Sequence, residues 1–147
     1  MKKTLLLLAF ALFAMLVIKP GKVQAQDNPP HVYHVSTWFM VPGMDSTMRA
    51  ERDAIWKEYH EKVTKKNELI LHTTALNHFF TEDSREFVVI MEFAKWEDIV
   101  KAFDRDEELE KQAWPDKQKR MDFMKKMNSY FTHHKDAIYG GVPGMSK

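Results

Sequence analysis

Glu86-Phe87-Val88-Val89-Ile90-Met91-Glu92-Phe93-Ala94-Lys95-Trp96-Glu97-Asp98-Ile99-Val100-Lys101-Ala102-Phe103 runs from an apolar strand straight into an amphipathic helix. From Phe87 to Phe93 apolar residues occupy both parities, so the strand is predicted to be central, with both faces covered. Ala94 to Asp98 is the junction. Glu92 interrupts the apolar run, and an acid there must be paired, solvated or neutral.

Upstream, Leu69 to Phe80 reads as a strand joined to the central one by the link Thr81 to Arg85, a hairpin. Side chains alternate along a strand, so loop length decides which residues share a face. An odd loop collects His72, Thr74, Leu76 and His78 with Val88, Ile90 and Glu92, and leaves Phe87, Val89, Met91 and Phe93 for the helices. This register is the expected one, because it keeps the helix-covered face nearly apolar.

Further upstream, His31 to Val41 alternates as a first strand that Pro42-Gly43 terminates. Asp45 or Ser46 caps a helix predicted to reach about Lys66. Its apolar stripe is Met48, Arg52, Ile55, Trp56, Tyr59 and Val63, and Asn67 is expected to close it in the left-handed conformation. The opposite face, with Glu51, Asp53, Lys57, Glu58, Glu61 and Lys65, reads as solvated. Downstream, the helix from Trp96 reaches about Lys111. Trp114-Pro115 breaks it, and Asp116 caps another with Met121, Phe123, Met124, Met127, Tyr130 and Phe131 on its apolar side. Thr132 to Tyr139 is a fourth strand. The ten methionines read as adaptable core filler. The fold class is α+β: a ferredoxin-like βαββαβ domain over residues 31–140, with a four-stranded antiparallel sheet and a segmented second helix.

The beginning of the chain has a different character. Lys2 and Lys3 precede an apolar run from Leu5 to Ile18, a polar stretch and then Val23-Gln24-Ala25. This is the layout of a secretory signal peptide over residues 1–25, too short in its apolar part to span a bilayer. The mature chain is expected to begin at Gln26, with residues 26–30 a polar lead-in and 141–147 a flexible tail. Setting aside the leader's four lysines leaves 18 basic against 21 acidic residues, a net charge of −3. That balance argues against a nucleic-acid partner. The chain contains no cysteine, which excludes a disulfide, a thiolate metal site and a lipid-modified cysteine. The expectation is an exported protein, periplasmic or extracellular, with no membrane attachment after leader removal.

The element order, together with Phe93-Ala94-Lys95-Trp96-Glu97-Asp98, resembles the dimeric α/β-barrel superfamily over about residues 31–140. That superfamily includes antibiotic-biosynthesis monooxygenases, stress-responsive barrel proteins and haem-degrading enzymes. The resemblance implies a homodimer packed sheet against sheet, each protomer holding a pocket between its sheet and helices. The break at Trp114-Pro115 and the exported location depart from the commonest members, so enzymatic roles are not carried over.

Seven histidines, His31, His34, His60, His72, His78, His133 and His134, raise the question of a metal. His72 and His78 are about 20 Å apart along one strand, and His133 and His134 point to opposite faces, so no metal site is expected. No glycine-rich phosphate loop or nucleophile elbow is present. The residues expected to contact a small molecule are His34, Trp38, His72, Thr74, His78, Glu92 and His134. With Ser36, most of these would share one sheet face, where Trp38 could stack and a histidine titrate near neutrality. His134 and Asp136 lie two apart on one strand face. Three functions fit these residues: a binding protein for a small apolar or aromatic ligand, a cofactor-free monooxygenase or haem-handling enzyme, and a structural interaction module. The sequence identifies no cofactor.

Overall fold

In the computed structural model of the protein, residues 30–78 and 85–142 are described. The leader, the lead-in through Pro29, the strand end at 79–80, the link at 81–84 and the tail from Pro143 lie outside them. Along the chain come β1 (Val32–Met40), α1 (Ser46–Lys62), a single 3-10 turn (Thr64–Lys66), β2 (His72–Asn77), β3 (Glu86–Phe93), α2 (Trp96–Ala113), α3 (Lys117–Asn128) and β4 (Phe131–Gly140). The four strands form one antiparallel sheet in the order β2-β3-β1-β4, which is the ferredoxin-like arrangement. As expected, the apolar strand β3 is central.

Local chemistry explains where the elements start and stop. Gly43, at φ 76°, takes the left-handed turn that ends β1's excursion, a conformation a side chain would strain. Asp45 then caps α1 by accepting from the Met48 amide at 2.8 Å, and Asp116 caps α3 by accepting from the Lys119 amide at 2.9 Å. Between α2 and α3, Trp114 closes one helix, and Pro115 prevents its continuation. The Trp114 ring stacks on Phe123 at 4.2 Å, folding α3 back on its neighbour.

Three local expectations are corrected. Tyr130 and Phe131 lie beyond α3, which ends at Asn128, and Phe131 opens β4. α1 ends at Lys62 rather than near Lys66, and the 3-10 turn carries the chain onward. Asn67 is extended, at φ −81° and ψ 105°, rather than left-handed. Its buried side chain serves a tertiary purpose instead: the amide nitrogen donates to the Ala102 carbonyl at 2.9 Å and to Asp106 Oδ1 at 2.7 Å, and its oxygen accepts from the Leu69 amide. Those bonds tie the exit of α1 to the middle of α2, an anchor the backbone conformation alone would not supply.

The β2–β3 register pairs His72 with Glu92, Thr74 with Ile90 and Leu76 with Val88, the face-sharing expected for the hairpin. β1 is set so that Val32, His34, Ser36 and Trp38 stand opposite Phe93, Met91, Val89 and Phe87. The even residues of β1 therefore share the helix-covered face. Apolar packing there gathers in separate clusters: Met40, Met44 and Tyr130 at one end, Phe93, Ile99 and Ala102 at the other, and Val63, Leu109 and Trp114 between helices. Central positions of the same face line a cavity.

Candidate functional site

The cavity lies between the sheet and the helices and has a volume of about 660 Å³, the size of a small-molecule site. Its floor is the centre of the sheet: His34, Ser36 and Trp38 from β1, Phe87, Val89 and Met91 from β3, Thr73, Ala75 and Asn77 from β2, and His134 and Asp136 from β4. Trp56 and Tyr59 from α1 and Phe103, Asp106 and Glu110 from α2 close it from above.

Cross-strand pairing assembles the polar part. β4 runs beside β1 with His134 opposite Trp38 and Asp136 opposite Ser36, so residues a hundred positions apart become neighbours on one face. His134 stacks on Trp38 at 4.3 Å between ring centres. Asp136 sits among three groups: Ser36 Oγ donates to its Oδ1 at 2.5 Å, His34 Nε2 lies 3.5 Å from the same oxygen, and His134 Nε2 lies 3.2 Å from Oδ2.

His34 is 6% exposed, and burial pushes its pKa below the usual histidine value. The Asp136 charge works against that effect, and His134 adds to it. His34 is therefore a neutral imidazole at neutral pH, able to accept or donate a proton in a dry setting. Phe103 meets its ring edge-on at 5.3 Å. Above them Trp38 and Trp56 pack edge to face at 5.4 Å, and Trp56 continues to Tyr59 at 6.3 Å and to Phe87 at 5.1 Å. The Tyr59 hydroxyl donates to Glu110 at 2.8 Å. Burial, then the nearby Glu110 and Asp106 charges, raise the Tyr59 pKa strongly, so the phenol keeps its proton.

Among the described residues, the buried side-chain polar atoms without a hydrogen-bond partner are His34 Nδ1, Trp38 Nε1 and Trp56 Nε1. All three belong to residues that line this one cavity. A buried polar group without a partner costs about 1–3 kcal/mol, so three in one place call for an explanation.

Of the residues expected to contact a ligand, the cavity brings together His34, Trp38 and His134. His72, Thr74 and Glu92 are on the opposite face of the sheet, and His78 is exposed just beyond β2. The single shared face is thus corrected, and the reason is physical. A hairpin fixes the relative parity of β2 and β3, but β1 reaches β3 only through a helix, which leaves its parity to packing. Glu92 is paired on that outer face: His31 Nδ1 lies 2.5 Å from its Oε1, and the Tyr33 hydroxyl donates to it at 3.3 Å.

Sequence reasoning missed Asp106 and Glu110, which belong to the strongly charged stretch Asp104 to Glu110. A signal was present, since Ile99, Ala102, Phe103, Asp106, Leu109 and Glu110 follow one helical stripe. Trp56 and Tyr59 were seen as core positions; they are also cavity wall.

No protein-family model matches the sequence, and no curated protein is similar to it. Solved structures are more informative. The fold is similar to that of a point variant of SnoaB, a cofactor-independent oxygenase from Streptomyces nogalater, with a TM-score of 0.52 and 8% identity over 80% of this chain and 99% of that one. It is also similar to a candidate antibiotic biosynthesis monooxygenase from Caulobacter crescentus, with a TM-score of 0.51 and 12% identity over 78% of this chain and 92% of that one. A conserved protein from Methanosarcina mazei gives a TM-score of 0.51 and 11% identity over 78% and 96% of the two chains. The protein thus has a ferredoxin-like fold, shared with these structures. At these identities the likeness carries the fold and no activity.

Proposed function

We propose that this protein binds a small, partly aromatic molecule in the cavity between its sheet and helices. The observation that carries this reading is the cavity itself, about 660 Å³, walled by Trp38, Trp56, Tyr59, Phe87 and Phe103, with His34, Ser36, His134 and Asp136 on its floor. Five aromatic rings and several aliphatic side chains supply apolar wall, and fixed polar groups supply orientation, the usual make-up of a small-molecule site. Titration with naphthol, followed by tryptophan fluorescence, is expected to give saturable quenching. Trp38→Ala removes both the stack on His134 and the edge contact with Trp56, so its affinity should fall by about tenfold or more. Linear, non-saturating quenching, or an unchanged Kd in Trp38→Ala, would contradict the proposal.

We further propose that the protein works as an exported homodimer. Val35, Val88, Ile90, Leu76 and Ala137 share the sheet face opposite the cavity, and Leu76 and Tyr139 on that face are 48% and 55% exposed. A second copy packed sheet against sheet would remove this apolar surface from water. Native mass spectrometry of the exported protein reads both claims. The expected species is a dimer of chains starting at Gln26. A monomer would sink the dimer, and a retained Met1 would sink the leader.

A further inference from the structure

The cavity's charge is one-sided. Asp53, Asp106, Glu107, Glu110 and Asp136 all line it, whereas among the described residues Lys57 is the only lysine or arginine to do so. Some of these acids are already neutralised: Arg52 pairs with Asp53, and Lys111 with Glu107 at 2.6 Å. Asp106 and Glu110 have no such partner among the described residues. They sit one turn apart on α2, and the bonds they accept come from the neutral Asn67 amide and the neutral Tyr59 phenol. Burial raises the Asp106 pKa; the bond from Asn67 opposes this, and the Glu110 charge adds to it. A carboxyl in that condition is short of positive charge. The wall leading to the pair is aromatic and continuous, from Trp38 to Trp56 at 5.4 Å and on to Tyr59 at 6.3 Å. Ring faces carry negative potential and attract cations. Independently of the acids, the buried His34 lies on the floor of the same cavity beside Ser36 and Trp38.

Resting on the cavity reading above, we infer that the ligand is an organic cation, an aromatic body bearing an ammonium group. Its charge lies beside Asp106 and Glu110, and its body lies along Tyr59, Trp56 and Trp38. An anion of the same shape would meet Asp106, Glu110 and Asp136, so the arrangement rejects as well as selects.

Three probes of one shape test this by isothermal titration calorimetry at neutral pH: naphthylmethylamine, naphthylmethanol and naphthoate. The amine is expected to bind about tenfold more tightly than the alcohol, and the alcohol more tightly than the acid. Asp106→Asn keeps an oxygen for the Asn67 bond; combined with Glu110→Gln, it should erase the amine's advantage over the alcohol. An alcohol or acid matching the amine, or an amine preference that survives both substitutions, overturns the cation assignment and leaves the cavity reading standing. Failure of all three probes to bind overturns both.

Discussion

Phe93→Ala is expected to destabilise the fold by about 3–5 kcal/mol, the usual loss for a large aromatic removed from a core that cannot collapse around the gap. Phe93 is 0% exposed and ends β3 where the chain turns into α2. Its ring packs with Ile99 and Ala102 of that helix, and Val32, Leu69, Ile70 and Met91 surround the cluster. The residue therefore joins the central strand to its helix in both sequence and space. Few neighbours can move to fill the hole, because strand pairing holds Val32 and Met91, and α2 holds Ile99 and Ala102. Val100, on the same helix but 63% exposed, is the control, and its change to Ala should stay within about 0.5 kcal/mol. Urea denaturation with an unchanged slope measures both. Equal small losses would mean that the strand-to-helix junction does not organise the core.

Arg52→Ala should cost about 2–4 kcal/mol, and Arg52→Met about 1 kcal/mol. Arg52 is 1% exposed within the apolar stripe of α1, a place where a charge needs company. It has that company: Nη2 donates to Asn77 Oδ1 at 2.7 Å, Nε donates to Asp53 at 3.0 Å, Nη1 donates to Met40 Sδ, and the guanidinium lies over the Phe87 ring at 4.8 Å. One side chain thereby links α1 to β1, β2 and β3. The side chain of Asp53 is 53% exposed and stays solvated without its partner, so no buried charge is stranded. The loss falls instead on packing around the stem and on Asn77, and packing is what Met restores. If Met proved as damaging as Ala, the polar contacts would carry the stability and this apportionment would be wrong. Chemical denaturation of the two variants side by side distinguishes these outcomes.

The order of elements was legible because each rests on local chemistry: the apolar run Phe87 to Phe93, the caps Asp45 and Asp116, and the break at Trp114-Pro115. The hairpin register was legible too, since preference for an apolar helix-facing side selected the parity that pairs His72 with Glu92. The site was legible only in pieces. His34, Trp38 and His134 meet in the cavity, but their expected companions His72, Thr74 and Glu92 are across the sheet, because a helical crossover leaves β1's parity relative to β3 unspecified. Asp106 and Glu110 were hidden for another reason. Charged residues on a helix usually face water, and only their place on the stripe of Ile99, Ala102 and Phe103 shows them turned inward.

That division between the two faces is the account's central claim, and the histidines report it residue by residue. In a naphthol titration followed by the ring proton and carbon resonances of the histidines, His34 and His134 are expected to shift together and saturate. His72 and His78, on and beside the outer face, should stay where they are. Saturating shifts at His72 with His34 unmoved would place the ligand on the open face and contradict the account.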